Sequence, residues 1–281
     1  MKQFFKESFG LFDIISWILV LLFFCGSALA FDGDLIGASY GAIAIIIEML
    51  LITLAIEIIL ECLKNTKGIG TITGFITNGP EAVVLITGLA VGDIIFAAST
   101  PLGSNFMNPI LLLVASLITG KFMPMITTRP SYSFTTYFFT AFFAGVFFFL
   151  NPGDYIYWLM TAVPIVTILF FIRPKEESGE AIEEQVFAPK NWLLPAIAVL
   201  VAAGYYLDPV VNFAAGASHA PKGVIGFLVL STLTSWPEFK SCIGLLKRNK
   251  PLSAILNITV SNLTNIWLAA IGLLVYVLSN G

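Results

Sequence analysis

Gly74-Phe75-Ile76-Thr77-Asn78-Gly79-Pro80-Glu81 sets a proline and a carboxylate inside an apolar run, and Ser231-Thr232-Leu233-Thr234-Ser235-Trp236-Pro237-Glu238 does the same in a second run. The shared Thr, Pro and Glu recur at a constant offset of 157 positions, Thr77 to Thr234 and Glu81 to Glu238. The offset persists outward, where Ser104, Asn105 and Asn108 reappear without a gap as Ser261, Asn262 and Asn265. A charged residue at the centre of a membrane helix costs about 3 kcal/mol on insertion scales, so two glutamates kept at equivalent places argue for use. Paired carboxylates in that setting point to a cation.

The surrounding composition supports the membrane setting. Of 281 residues, 58% are hydrophobic and 11% charged, and the mean hydropathy is +0.93. These values define a polytopic, all-α membrane protein. Apolar stretches predict nine transmembrane helices near 11–30, 37–60, 69–92, 99–119, 131–150, 154–172, 191–208, 222–246 and 251–279. With a cytoplasmic N-terminus, Lys2, Lys6, Lys64, Lys67, Lys121, Arg129, Arg173, Lys175, Lys190, Lys247, Arg248 and Lys250 all fall on the cytoplasmic side, and Lys222 falls outside. This bias predicts an external C-terminus, in an inner or plasma membrane.

The first stretch has small residues at Cys25-Gly26-Ser27-Ala28 like a signal peptide, but Asp13 and Trp17 fit a retained helix better. The net charge of -3 says little where most of the surface faces lipid, and with no basic patch to suggest it, no nucleic acid partner is expected. Cys25, Cys62 and Cys242 lie in or beside membrane segments and form no disulfide framework. Residues 173–190 carry Glu176, Glu177, Glu180, Glu183 and Glu184 and read as a solvated cytoplasmic linker. The chain therefore divides into an N-terminal helix and external loop (1–36), a first repeat (37–172), the linker (173–190) and a shorter second repeat (191–281). Five crossings separate the two pattern copies, which makes them inverted-topology repeats with a site expected near the bilayer midplane.

The donor chemistry is uniformly hard oxygen. Pro80 and Pro237 remove helical hydrogen bonds to Ile76 and Leu233, so both helices should bend there and free carbonyls. Thr77 and Glu81, Ser104 and Asn108, Thr234 and Glu238, and Ser261 and Asn265 are each four apart and share a helical face. Carboxylates, hydroxyls and amide oxygens suit Ca²⁺, whereas Zn²⁺ or Cu would call for His and Cys. His219, the one histidine, is expected in an external loop, and Cys242 is expected to pack. Without a cation between them, two close carboxylates repel, so the site should cross the membrane loaded.

These residues resemble the cation/Ca²⁺ exchanger superfamily, in its Na⁺/Ca²⁺ exchanger branch. That family's repeat reads roughly Gly-Thr-Ser-x-Pro-Glu, then Gly-Asn-x-x-Gly-Ser-Asn-x-x-Asn, and the present chain matches it at the positions quoted. Asn78 stands for the usual Ser, Thr100 for the first Asn of the second motif, and Val260 for its Gly. The resemblance implies that Glu81 and Glu238 bind Ca²⁺ with Thr77 and Thr234. It also implies that Asn78, Ser235, Ser104, Ser261, Asn108 and Asn265 serve the central site or flanking Na⁺ sites. The proton-coupled branch has His after the glutamate, and neither Glu81-Ala82 nor Glu238-Phe239 does, which tilts the expectation toward Na⁺. The family commonly has ten helices; this chain is expected to add one at the start and to lack the last two.

Two residues stand apart as gating or path candidates. Glu48 sits mid-way along a stretch that by position resembles the family's gating helix, facing either an entry path or a hydrogen-bond partner. Lys240, two residues past Glu238, either snorkels to the cytoplasmic edge or competes for the site as a tethered cation. Glu57 and Glu61 are expected to be solvated. No enzyme is expected: Ser235 and Lys240 are five apart, the wrong helical offset for a nucleophile and base. The resulting expectation is a Ca²⁺/Na⁺ antiporter without cofactors, in contact with lipid, with a homo-oligomer or partner subunit left open. The alternatives are a Ca²⁺/H⁺ or other cation antiporter, or a non-transporting subunit or sensor on a degenerate exchanger fold.

Overall fold

A computed structural model describes residues 11–63, 66–79, 81–82, 85–86, 94–176, 190–220 and 231–280. Among them the regular elements are all helical: α1 (Leu11–Ala30), α2 (Leu35–Leu63), α3 (Ile69–Ile76), α4 (Ile94–Ile118), α5 (Phe122–Thr127), α6 (Pro130–Phe147), α7 (Tyr155–Phe171), α8 (Leu193–Ser218), α9 (Ser231–Thr234), α10 (Trp236–Lys247) and α11 (Pro251–Asn280), with 3-10 turns at Pro152–Asp154 and Lys190–Trp192. The protein is membrane-embedded by this architecture. Among the described residues five segments are long and apolar enough to cross a bilayer: Asp13–Ala30, Leu35–Leu63, Pro101–Ile118, Lys190–Ser218 and Pro251–Leu278. A further apolar helix, Tyr155–Phe171, has 17 residues.

The count of five falls below the nine stretches expected, for physical reasons visible in the helices. Helix α6 carries Tyr, Ser and Thr among its phenylalanines. The stretches near 69–92 and 222–246 hold the interrupted helices α3 and α9–α10, and much of each lies outside the described residues, Lys222 included. Helix α8 runs to Ser218, ten residues beyond the expected end, because Pro209 is accommodated within it.

Helix α11 is the axis of the molecule. Its membrane-length window is 67% buried, against 22% for α1 at the periphery, and it packs on α3, α4, α6, α7 and α10. Glycines permit the closest of these contacts. A side chain at Gly70 or Gly74 of α3 would collide with the backbone of Ser253 or Asn257 on α11, as expected where helices approach through small residues. Helices α2 and α8 form the other extensive pair, with Gly41 seated on Ala214, and α1 lies against both.

Two apolar clusters result. One gathers Phe24, Ile45, Ile52, Leu200, Phe239 and Ile258 around α1, α2, α8 and α10. The other gathers Leu102, Phe143, Phe147, Trp158, Leu263 and Ile266 around α4, α6, α7 and α11. On α11 the polar residues Thr259, Ser261 and Asn262 fall between Ile258 of the first cluster and Leu263 of the second. The repeated pattern is therefore at the seam of the two cores.

Candidate functional site

Both copies of the pattern interrupt a helix. Helix α3 ends at Thr77, whose N–H still reaches the Thr73 carbonyl, and Thr77 and Asn78 form a turn before helical structure resumes at Gly79, with Ala82 N–H donating to Asn78 O at 3.0 Å. Pro80 itself lies outside the described residues. In the second copy α9 ends at Thr234 and α10 starts at Trp236, with Ser235 as its N-cap and Pro237 in its first turn, where a missing N–H costs no helical bond. The helix expected to bend at Pro237 is thus broken two residues earlier. Glu238 consequently sits in the first turn of α10, where a helix N-terminus favours a carboxylate.

All the expected site residues are buried together: Thr77, Asn78, Glu81, Ser104, Asn108, Thr234, Ser235, Glu238, Ser261 and Asn265. Ser261 is the hub. Its hydroxyl lies 3.0 Å from Glu238 Oε1 and 3.1 Å from Asn78 Oδ1, and accepts from Asn108 Nδ2 at 3.1 Å. With one proton, it donates to one of the two acceptors at a time. Asn78 Nδ2 crosses back to donate to the carbonyls of Gly74 at 2.9 Å and Ser261 at 3.1 Å. The Ser104 and Thr234 hydroxyls pair at 3.4 Å.

Two amide bonds are reciprocal between the copies. Asn108 Nδ2 donates to Asn262 Oδ1 at 2.9 Å, and Asn265 Nδ2 donates to Asn105 Oδ1 at 3.1 Å. Each bond becomes the other when every residue is exchanged for its counterpart in the opposite copy. Asn262 Nδ2 adds donations to Asn105 O and to Thr140 Oγ1 at 3.3 Å. Asn105 and Asn262 belong to the repeated pattern although the ligand expectation omitted them; Thr140 announces itself only through its i, i+4 partner Thr136.

What the site leaves unbonded is as informative. Among the described residues, Thr77 Oγ1, both Glu81 oxygens, Asn108 Oδ1, Ser235 Oγ, Glu238 Oε2 and Asn265 Oδ1 are buried and have no hydrogen-bond partner, as does one nitrogen, Asn105 Nδ2. The Glu81 and Glu238 carboxylates are close enough to repel each other. The Thr77 hydroxyl faces Glu238 without completing a hydrogen bond. Among the described residues neither glutamate forms an ion pair, and no three His, Cys, Asp or Glu side chains gather as a metal cluster. The donor set is two carboxylates among neutral oxygens, which suits a hard cation.

Lys240 neither snorkels nor reaches for this site. It is buried and donates to both Asp13 oxygens, at 2.9 and 3.1 Å, so α1 is pinned to the helix that carries Glu238. Glu61 is not solvated but buried beside Arg248, at 3.6 Å, and Glu57 is half-buried within reach of Arg248, Lys240 and Lys247. Glu48 is half-buried with Oε2 lacking a partner among the described residues, so the local bond considered for it is missing there at that atom. Glu176, expected in a solvated linker, accepts from Gly70 N, Thr71 N and the Ser253 hydroxyl at 3.1, 3.1 and 2.6 Å, capping α3 and tying it to α11. Glu177, Glu180, Glu183 and Glu184 lie outside the described residues. Cys242 packs as expected, its thiol 3.6 Å from Ala254 O, and exposed His219 lies 3.2 Å from Phe31 O.

Comparison of the chain with protein-family models, curated proteins and solved structures finds no match.

Proposed function

We propose that this chain is a membrane antiporter exchanging Ca²⁺ for Na⁺ at a site shared by Glu81 and Glu238. The reading rests on the seven buried oxygens without partners among the described residues, six of them on residues of the repeated pattern and the seventh on Ser235, which stands where the first copy has Asn78. Leaving a buried polar atom unbonded costs about 1–3 kcal/mol, more for a charged group. Seven such oxygens in one cluster form a costly arrangement unless a cation satisfies them. Ca²⁺ takes six to eight oxygens in flexible geometry, and two carboxylates neutralise its charge.

The reciprocal asparagine bonds support two copies related by a two-fold axis. Combined with nine crossings, an N-terminus in the cytoplasm and an external C-terminus, they describe inverted repeats meeting at mid-membrane. Ser104, Ser261, Asn78 and Ser235 then serve flanking Na⁺ or the shared site. Sodium is favoured as counter-ion because neither glutamate is followed by histidine, in keeping with the resemblance to the Na⁺/Ca²⁺ exchanger branch. The paired helices α2 and α8 are the moving element in this reading. They are linked to the site where Trp236 Nε1 donates to Thr53 Oγ1 at 3.3 Å.

The test is Na⁺-gradient-driven uptake of Ca²⁺ into proteoliposomes. Wild type should load, and Glu81→Gln and Glu238→Gln should each fall to the level of empty liposomes; uptake unchanged in either variant refutes the site. Uptake driven by a pH gradient in Na⁺-free buffer would select Ca²⁺/H⁺ exchange instead. No flux under any gradient would select the non-transporting alternative.

A further inference from the structure

Helix α6 has two contrasting stripes. Phe134, Phe138 and Phe142 point outward, each at least half exposed, and stack on one another in sequence. The inward side carries hydroxyls. Thr136 and Thr140 are fully buried; Thr140 accepts from Asn262 of the site and donates to the Thr136 carbonyl at 2.8 Å. Among the described residues, Thr136 Oγ1, Tyr132 OH and Tyr137 OH are all buried without completing a hydrogen bond. Tyr132 lies against the Thr136 and Thr259 hydroxyls, and Tyr137 faces Tyr132 and Cys242.

Phenylalanine would fill the tyrosine positions without this penalty, and the chain uses it 25 times. Three unbonded hydroxyls in a row, continuous with a fourth that is bonded to the site, match the way buried polar groups line a water path. They reach from Asn262 to the first turn of α6, where Arg129 and Pro130 are exposed.

We infer that Tyr132, Thr136, Tyr137, Thr140 and Thr259 line a hydrated passage between α6 and α11 that admits water and hydrated cations to the Asn262 side of the site. The admission of cations rests on the function proposed above; the hydration does not. With hydroxyls and, among the described residues, no carboxylate in its walls, the passage conducts without holding. The Phe134, Phe138 and Phe142 stripe seals its far side against lipid.

Cysteine accessibility in lipid nanodiscs, open on both faces, tests this directly. In a background carrying Cys25→Ala, Cys62→Ala and Cys242→Ala, single variants Thr136→Cys, Thr259→Cys and Phe138→Cys are exposed to a charged methanethiosulfonate. A thiol in water ionises and one in lipid does not, so Thr136→Cys and Thr259→Cys should react about tenfold or more faster than Phe138→Cys. Thr259→Cys on the facing helix keeps the test alive if Thr136→Cys fails to fold. Both reacting as slowly as Phe138→Cys overturns the passage whatever the transport result. Fast reaction unaffected by saturating Ca²⁺ and Na⁺ leaves the passage standing and counts against the ion site alone.

Discussion

Two buried acidic regions of this molecule are partnered differently. Asp13 on α1 meets Lys240 on α10 in a two-oxygen ion pair closed within the protein. Glu81 and Glu238 have no cationic side chain beside them among the described residues, and three of their four oxygens are unbonded. The first region is complete as a piece of structure. In the proposed function the second is completed by a cation from outside, so a carboxylate does structural work in one place and binding work in the other.

The difference can be broken experimentally, beginning where the effect is largest. Lys240→Met removes the cation paired with buried Asp13, which should cost about 3–5 kcal/mol of stability. Thermal unfolding in detergent reads this, and combining it with Asp13→Leu should recover most of the loss. Glu238→Gln should behave oppositely, leaving the ion-free protein no less stable because it removes one of two repelling charges. Equal destabilisation by Lys240→Met and Glu238→Gln would erase the contrast.

Ligand linkage sharpens it next. Ca²⁺ at a hundred times its dissociation constant should stabilise wild type by about 2.7 kcal/mol. The same Ca²⁺ should leave Glu81→Gln unmoved, while Lys240→Met combined with Asp13→Leu should keep the response. A smaller effect separates the two copies. Ser261→Ala removes a hydroxyl 3.0 Å from Glu238, and a hydrogen bond to a charged group contributes about 1.5–3 kcal/mol. Its Ca²⁺ affinity should fall roughly tenfold or more, for which 1.4 kcal/mol suffices. Ser104→Ala, whose hydroxyl pairs with Thr234 instead, should cost less. The smallest effect is expected from Glu176→Gln, about 1 kcal/mol of stability from weakened capping of α3, read by the same thermal unfolding.

How much of this is legible in the residues depends on the range of the interaction. The helices at 11–30, 131–150 and 251–279 are read closely because run length and hydropathy are local properties. The breaks at Thr77–Asn78 and Ser235 follow from Pro80 and Pro237, also local, though the exact residue is shifted by the preference of proline for the first turn. The site is legible because it occurs twice at one offset. The partner of Lys240 is 227 positions away in sequence, and no spacing rule connects Asp13 to it. Glu176 reads as linker by composition, and only its contact with the exposed N–H groups of α3 makes it a cap. The passage along α6 is partly foreshadowed by Thr136 and Thr140 at i, i+4, but the hydroxyl of Tyr132 becomes meaningful only once Thr259 faces it.

The central claim is that one cation is held jointly by Glu81 and Glu238, and equilibrium Ca²⁺ binding to the purified protein measures it most directly. One Ca²⁺ per chain should bind to wild type, and Glu81→Gln, Glu238→Gln and the double variant should all lose that binding to the same degree. Half-strength or independent binding surviving in either single variant would show two separate carboxylates and contradict the account.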